Sequence, residues 1–423
     1  MKSSFFSSVL TSIKHKGFIS LIDQGIINAT NFFTGVIISR ACTKEEFGIY
    51  TLGFSIIAFL IGLQTSIIST PYIIYSPKIT GEHHIRYTGS TIIHQLAFSL
   101  VAVIFLTIGG ILLSQNIGAS SLKSAIWALT AVVTFMLFRE FIRRVCFALL
   151  KIRIALVVDI GVAIIQVSGL LVLAQFDLLG ASHAFEIMGL ACIVVTFFWL
   201  VTFRKNFSLN LTDAIEDFHR NFAVSKWIFL SGLLWFASTQ IYPWLLTIFH
   251  GPESAAVFGV CVAAVALARP IVHGLNNFIE PKLAHIYAQN GCLKLRQFAI
   301  KASIVLIGLI SLFCVTTALL GNKFIILVYG NKYAGNGAMV FLLALNMLVI
   351  ASNFPFSRSL FTIERADVEF KSNLLTLGLT ISLGLWLVKV LGPPGAAISL
   401  MVSNIAGSGF RYIAFEYLLR AKN

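Results

Sequence analysis

The chain has 423 residues, of which 57% are hydrophobic and only 11% charged, with a formal net charge of +14. An ordinary soluble domain is about one quarter charged, so a water-exposed globule is excluded and lipid is the expected solvent. The basic excess does not point to nucleic acid, because Lys and Arg stand at the ends of apolar runs, where membrane proteins gather them on the cytoplasmic side.

Residues 1–16 read as a cytoplasmic interfacial segment. Phe6, Val9, Leu10 and Ile13 share one helical face between Lys2 and the pair Lys14 and Lys16. Twelve apolar segments follow, at 17–39, 47–70, 90–113, 123–149, 153–176, 184–203, 225–249, 254–280, 299–320, 336–355, 371–390 and 395–417. A spanning helix needs about 20 apolar residues, so each is an expected transmembrane helix. With both termini in the cytoplasm, the inner segments hold twenty-four Lys and Arg and the outer ones six, with Arg269 left inside a span. That asymmetry fixes the orientation.

The two halves repeat. Phe47-Gly48 recurs as Phe258-Gly259, and Pro71, Gly81 and Arg86 recur as Pro281, Gly291 and Arg296. Six spans per half put both halves in the membrane the same way round. The expected fold is therefore all-α and polytopic, with two parallel six-helix repeats around a central cavity. The division is 17–203 for the N-terminal bundle, 204–226 for a polar cytoplasmic loop carrying Asp213, Glu216 and Asp217, and 227–423 for the C-terminal bundle. Two like halves are a transporter pattern, and the second half is expected to supply more of the cavity charge.

Polar residues inside spans mark the candidate site, since they are costly there. The eighth span places Arg269, His273, Asn276 and Glu280 on one helical face, with Asn277 beside them and Pro270 positioned to kink the helix. Arg269 either receives phosphate, whose oxygens suit the guanidinium fork, or pairs with a carboxylate from another span such as Asp23 or Asp159. Gln24, Asn28 and Asn31 stripe the first span, and Thr239 and Tyr242 lie on the seventh; these line the cavity or glue helices together. Asp23 and Asp159 are candidates for carrying a coupling ion, or for pairing with a neighbouring Arg. Arg139, Glu140, Arg143 and Arg144 cluster at the cytoplasmic end of the fourth span, where they either grip anionic headgroups or simply follow the charge rule.

The six cysteines show no zinc spacing and no disulfide framework, and adjacent His83 and His84 point to different helix faces, so no metal is expected. There is no phosphate-binding loop, no catalytic motif and no cofactor signature, which argues against an enzyme.

Several motifs in order carry a resemblance. They are Asn31-Phe32, Arg40, Glu46-Phe47-Gly48 and Tyr50; then Arg139-Glu140, Arg143-Arg144 and Phe147-Ala148; then Tyr329-Gly330, Tyr333-Ala334, Leu391-Gly392 and Gly395-Ala396-Ala397. On these the chain resembles the polysaccharide-export, O-antigen-type oligosaccharide-lipid flippase branch of the multidrug/oligosaccharidyl-lipid/polysaccharide (MOP) exporter superfamily. The resemblance implies a bacterial inner-membrane protein that moves a polyprenyl-diphosphate-linked oligosaccharide between leaflets by alternating access. It also implies membrane lipids, a polysaccharide polymerase and a chain-length regulator as partners. The competing readings are a drug or cation antiporter of the same superfamily and a polytopic polymerase or glycosyltransferase.

Overall fold

The computed structural model describes residues 2–116 and 120–422, without the side chains of 2–18, 21, 113–116, 120, 224, 227, 271, 273, 277, 278, 421 and 422. Among the described residues the chain is almost wholly helical and has no strand. Lipid offers the backbone no partners, so a spanning segment must satisfy its N–H and C=O groups within one helix. In chain order the helices are α1 (Lys2–Ala41), α2 (Lys44–Gln64), α3 (Thr70–Tyr75), α4 (Gly81–Asn116), α5 (Ser120–Ala148), α6 (Ile152–Gln175) and α7 (Ala181–Phe203). They continue as α8 (Leu211–Gln240), α9 (Tyr242–His250), α10 (Pro252–Ala266), α11 (Arg269–Tyr329), α12 (Gly337–Thr362), α13 (Ala366–Leu391) and α14 (Pro393–Lys422). All twelve expected segments fall on these helices to within a residue or two. Eight helices among the described residues are long and apolar enough to cross a membrane, and nine if the bent pair Leu211–Ala223 and Ile228–His250 counts as one span. The protein is an all-α, multi-pass membrane protein.

Two expectations change. Residues from Lys2 run into the first span as one helix, with no break after the segment 1–16. The expected loop 204–226 is mostly helix: after a short turn at Arg204–Asn206, α8 begins at Leu211. Its polar residues hid an amphipathic pattern. Ala214, Asn221 and Ser225 are buried, and the first two face α4: His94 Nε2 lies 2.7 Å from Ala214 O, and Tyr87 donates its hydroxyl to Asn221 Oδ1 at 3.1 Å.

The chain forms two compact units, Met1–Cys42 with Ile56–Phe229, and Thr43–Ser55 with Leu230–Asn423. The first unit is centred on Tyr72, Tyr87, Phe141, Ile142 and Ala155, with Tyr72 and Tyr87 stacked 5.7 Å apart. The second is centred on Leu283, Leu295, Leu360 and Phe415. The first part of α2 belongs to the second unit, and the repeated Phe-Gly motifs show why. A β-carbon on Gly48 would stand 1.9 Å from Pro252 O, and one on Gly259 would stand 2.6 Å from Thr51 Oγ1. Only glycine lets these helices approach so closely. Nearby, Trp244 Nε1 donates to Ser55 Oγ at 2.9 Å.

The repeat is also written in the backbone. Gly81 and Gly291, 210 positions apart, both take left-handed dihedrals, with φ of 65° and 73°. At Gly291 this breaks α11 into two helical stretches. Further along, the corner after α5 recurs after α12 at an offset of 214, with Leu150 at φ 57° and Glu364 at φ 63°. In the first corner Leu150 N–H donates to Phe147 O (3.0 Å) and Lys151 N–H to Cys146 O (2.8 Å). In the second, Glu364 N–H donates to Phe361 O (3.0 Å) and Arg365 N–H to Leu360 O (2.9 Å).

Candidate functional site

The largest buried ionic cluster lies in the first unit. The spacing of α5 puts Arg139, Glu140, Arg143 and Arg144 within two turns, and their side chains converge on carboxylates from α1 and α6. Arg143 is the hub. Its Nε donates to Asp159 Oδ2 at 2.7 Å, its Nη2 to Asp23 Oδ2 at 3.0 Å, and its Nη1 to Glu140 Oε2 at 3.2 Å. Arg139 pairs with the other oxygen of Asp159. Arg144 Nε donates to Glu140 Oε1 at 2.9 Å. Asp23 and Asp159 are fully buried, and Glu140 and Arg143 nearly so. Three guanidinium groups face three carboxylates, so the cluster is neutral overall, which is the condition for keeping so many charges out of water. Of the two readings of Asp23 and Asp159, the structure shows the one in which each pairs with a neighbouring Arg. Arg143 binds inward to these carboxylates, so of its side chain nothing is left to grip a headgroup.

In the second unit α10 ends at Ala266 and α11 begins at Arg269, with Pro270 in its first turn. The expected kink is a two-residue interruption, Leu267 and Ala268, across which the backbone stays in the right-handed helical region. Arg269 is solvent-accessible and makes no ion pair among the described residues. Asp23 and Asp159 are held by arginines of α5 within the first unit. Two turns on, Asn276 is buried and its Oδ1 has no hydrogen-bond partner among the described residues. The side chains of His273 and Asn277 lie outside the described residues. Glu280 is exposed and faces Arg358 at 3.6 Å, so it belongs to a surface pair.

The remaining candidates separate. Asn28 keeps a buried Nδ2 without a partner among the described residues, Asn31 is exposed and Gln24 is half-buried. Thr239 spends its hydroxyl on the carbonyls of Trp235 and Phe236, both at 3.1 Å. Tyr242 is fully buried, and its hydroxyl meets Ser399 Oγ at 3.0 Å. Of its two readings, Tyr242 shows the one in which it joins helices, here α9 and α14.

One polar cluster went unread in the sequence. Arg411 Nε donates to Glu369 Oε2 at 2.9 Å and its Nη2 to Asn373 Oδ1 at 2.7 Å, while Asn373 Nδ2 donates to Ser231 Oγ at 2.9 Å. Ser357 Oγ donates to the same Glu369 oxygen at 3.0 Å. This ties α8, α12, α13 and α14 together inside the second unit. The signal was present as ionisable residues near the ends of two spans. Here a single Arg–Glu pair is held, where the first unit gathers three arginines and three carboxylates.

No family model matches the chain. The capsular polysaccharide biosynthesis protein CapF of Staphylococcus aureus is 20% identical over 208 residues, which is 49% of this chain and 52% of that protein. The similarity thus spans about half the length of that relative. Among solved structures, an inward-facing multidrug resistance MATE family transporter of the MOP superfamily superposes with a TM-score of 0.76 at 14% identity, covering 93% of this chain and 94% of that one. The lipid II flippase MurJ, in an inward closed conformation, gives 0.73 at 14% identity over 94% and 87%. A MOP superfamily transporter from Pyrococcus furiosus, described by the reversed polarity of its binding pocket, gives 0.67 at 14% identity over 96% and 94%.

Proposed function

We propose that this protein, which has the fold of the MOP-superfamily transporters, translocates a polyprenyl-diphosphate-linked oligosaccharide across the bacterial inner membrane. The cargo is an O-antigen or exopolysaccharide repeat unit, moved from the cytoplasmic to the periplasmic leaflet by alternating access. The observation that carries this reading is Arg269, a guanidinium without a carboxylate partner among the described residues, at the first residue after the interruption of its span. The start of a helix presents unpaired N–H groups and positive potential, and the guanidinium adds a planar fork of donors that suits diphosphate oxygens. The similarity to CapF and the fold shared with a lipid II flippase agree with this chemistry.

The test is deletion of the gene in its host. Lipid-linked oligosaccharide is then quantified by mass spectrometry, with its leaflet assigned by accessibility to a periplasmic enzyme. Lipid-linked units trapped facing the cytoplasm, with loss of surface polymer, support the proposal; accessible periplasmic units that fail to lengthen point to polymerisation. The second reading, a drug or cation exporter, is favoured by the superposition on the MATE transporter. It predicts unchanged polysaccharide and new sensitivity to cationic dyes.

A further inference from the structure

A pocket of the first unit sits beside the α5–α6 corner and plays no part in the proposed path of the oligosaccharide. It is a small recess with about 30 Å³ of water-accessible space, and its walls include His84, Thr88, Lys151, Trp199, Phe203 and Asn206. One side is aromatic: Trp199 stacks on Phe203 at 5.5 Å and on Phe207 at 6.3 Å. The other side is polar. Lys151 Nζ lies 5.2 Å from the centre of the Phe203 ring, and His84 Nε2 lies 2.9 Å from Ser76 Oγ.

The charge of this pocket is unbalanced. Among the described residues its lining contains no carboxylate, and Lys151 makes no ion pair. The repeat shows what a balanced version looks like. At the offset of 214, Lys151 corresponds to Arg365, which is neutralised by Asp367 with Nε 2.7 Å from Oδ1. The position corresponding to Asp367 is Arg153, which adds positive charge where the second unit has negative. A cation held in a recess, next to an imidazole and an amide, calls for an anion with several acceptor oxygens. The aromatic wall suits whatever carbon the anion carries.

We propose that this pocket binds a phosphate group, with Lys151 as counter-ion and His84 and Asn206 as hydrogen-bonding partners. The phosphate belongs either to an anionic phospholipid headgroup or to a free phosphate in the cytoplasm. The inference is independent of which substrate the protein transports.

Trp199 is the reporter. The purified full-length protein is placed in phosphatidylcholine nanodiscs, and its tryptophan emission is titrated with inorganic phosphate. In parallel, the nanodiscs are enriched stepwise in phosphatidylglycerol. Subtracting the response of the Trp199→Phe variant isolates this site from the other five tryptophans. A saturable, Trp199-dependent change is expected. If phosphate produces it, the ligand is free phosphate; if only phosphatidylglycerol does, the ligand is a lipid headgroup. Lys151→Gln should weaken the response about tenfold or more, the loss expected on removing a charged hydrogen-bond donor, whereas Lys151→Arg should retain it. No Trp199-dependent change with either anion, or a Lys151→Gln titration that matches the wild type, overturns the proposal.

Discussion

The α5–α6 corner and the α12–α13 corner share a backbone and differ in chemistry. At the offset of 214, Arg139, Arg143 and Asp159 of the first unit correspond to Asn353, Ser357 and Asn373 of the second. Where one unit fills the site below its corner with an ionic cluster, the other uses amides and a hydroxyl, then imports a single Arg–Glu pair, Arg411 and Glu369, from elsewhere in its sequence. The difference shows that the corner is a geometric device that does not dictate charge. It also sets how much a single substitution costs. In an ionic cluster, removing one member strands the opposite charges out of water. In an amide cluster it strands a dipole.

The largest effect should follow Arg143→Ala, which leaves Asp23, Glu140 and Asp159 with too few partners. Loss of one partner from a buried pair costs about 3–5 kcal/mol, so the detergent-purified variant should show a much lower midpoint of thermal unfolding. The double variant Arg143→Met, Asp159→Leu removes one charge of each sign and should recover most of that loss. If it is as unstable as the single variant, charge balance is not what holds the cluster. In the second unit Asn373→Ala should cost about 1–3 kcal/mol by leaving Arg411 and Ser231 short of a partner. A loss as large as that of Arg143→Ala would erase the contrast between the corners.

Gly48→Ala bears on the helix approach and not on the corners. Its new methyl group would stand 1.9 Å from Pro252 O, and overpacking of that kind costs about 1–3 kcal/mol, read in the same unfolding assay. The smallest effects belong to the corners themselves. Leu150→Gly and Glu364→Gly each relieve a left-handed dihedral that costs an L-residue about 1–2 kcal/mol, offset in part by the added freedom of glycine in the unfolded chain. Each should raise stability by a few tenths of a kcal/mol to about 1 kcal/mol, and by like amounts, because the backbone is shared. Opposite signs would show that the corners are not equivalent.

Hydropathy and punctuation made the fold legible. Long apolar runs gave the spans, and Phe-Gly, Gly81 and Gly291 gave the repeat, because close helix approach and left-handed turns demand particular residues. The start of α8 was hidden for the opposite reason. Its polar residues read as a loop, and burial of Ala214 and Asn221 against α4 became visible only once α4 was in place. The candidate site was legible one helix at a time. Periodicity put Arg269 and Asn276 on one face and singled out Asp23 and Asp159, but it cannot say how α1, α5 and α6 are rotated about their axes. That rotation decided that both acids belong to Arg143 and Arg139. Tyr242 stayed open for the same reason, since a tyrosine on a polar stripe serves a helix contact as well as a cavity.

The most direct test of the account is a reconstituted leaflet assay. Purified protein is placed in liposomes loaded with polyprenyl-diphosphate-linked oligosaccharide, and the fraction accessible to an added glycosidase is followed in time. The wild type should expose the inner-leaflet pool, Arg269→Ala should slow this about tenfold or more through loss of a charged donor to phosphate, and Arg269→Lys should recover part of the rate because Lys keeps the charge without the fork. Exposure no faster than in protein-free liposomes, or an Arg269→Ala rate equal to the wild type, would contradict it.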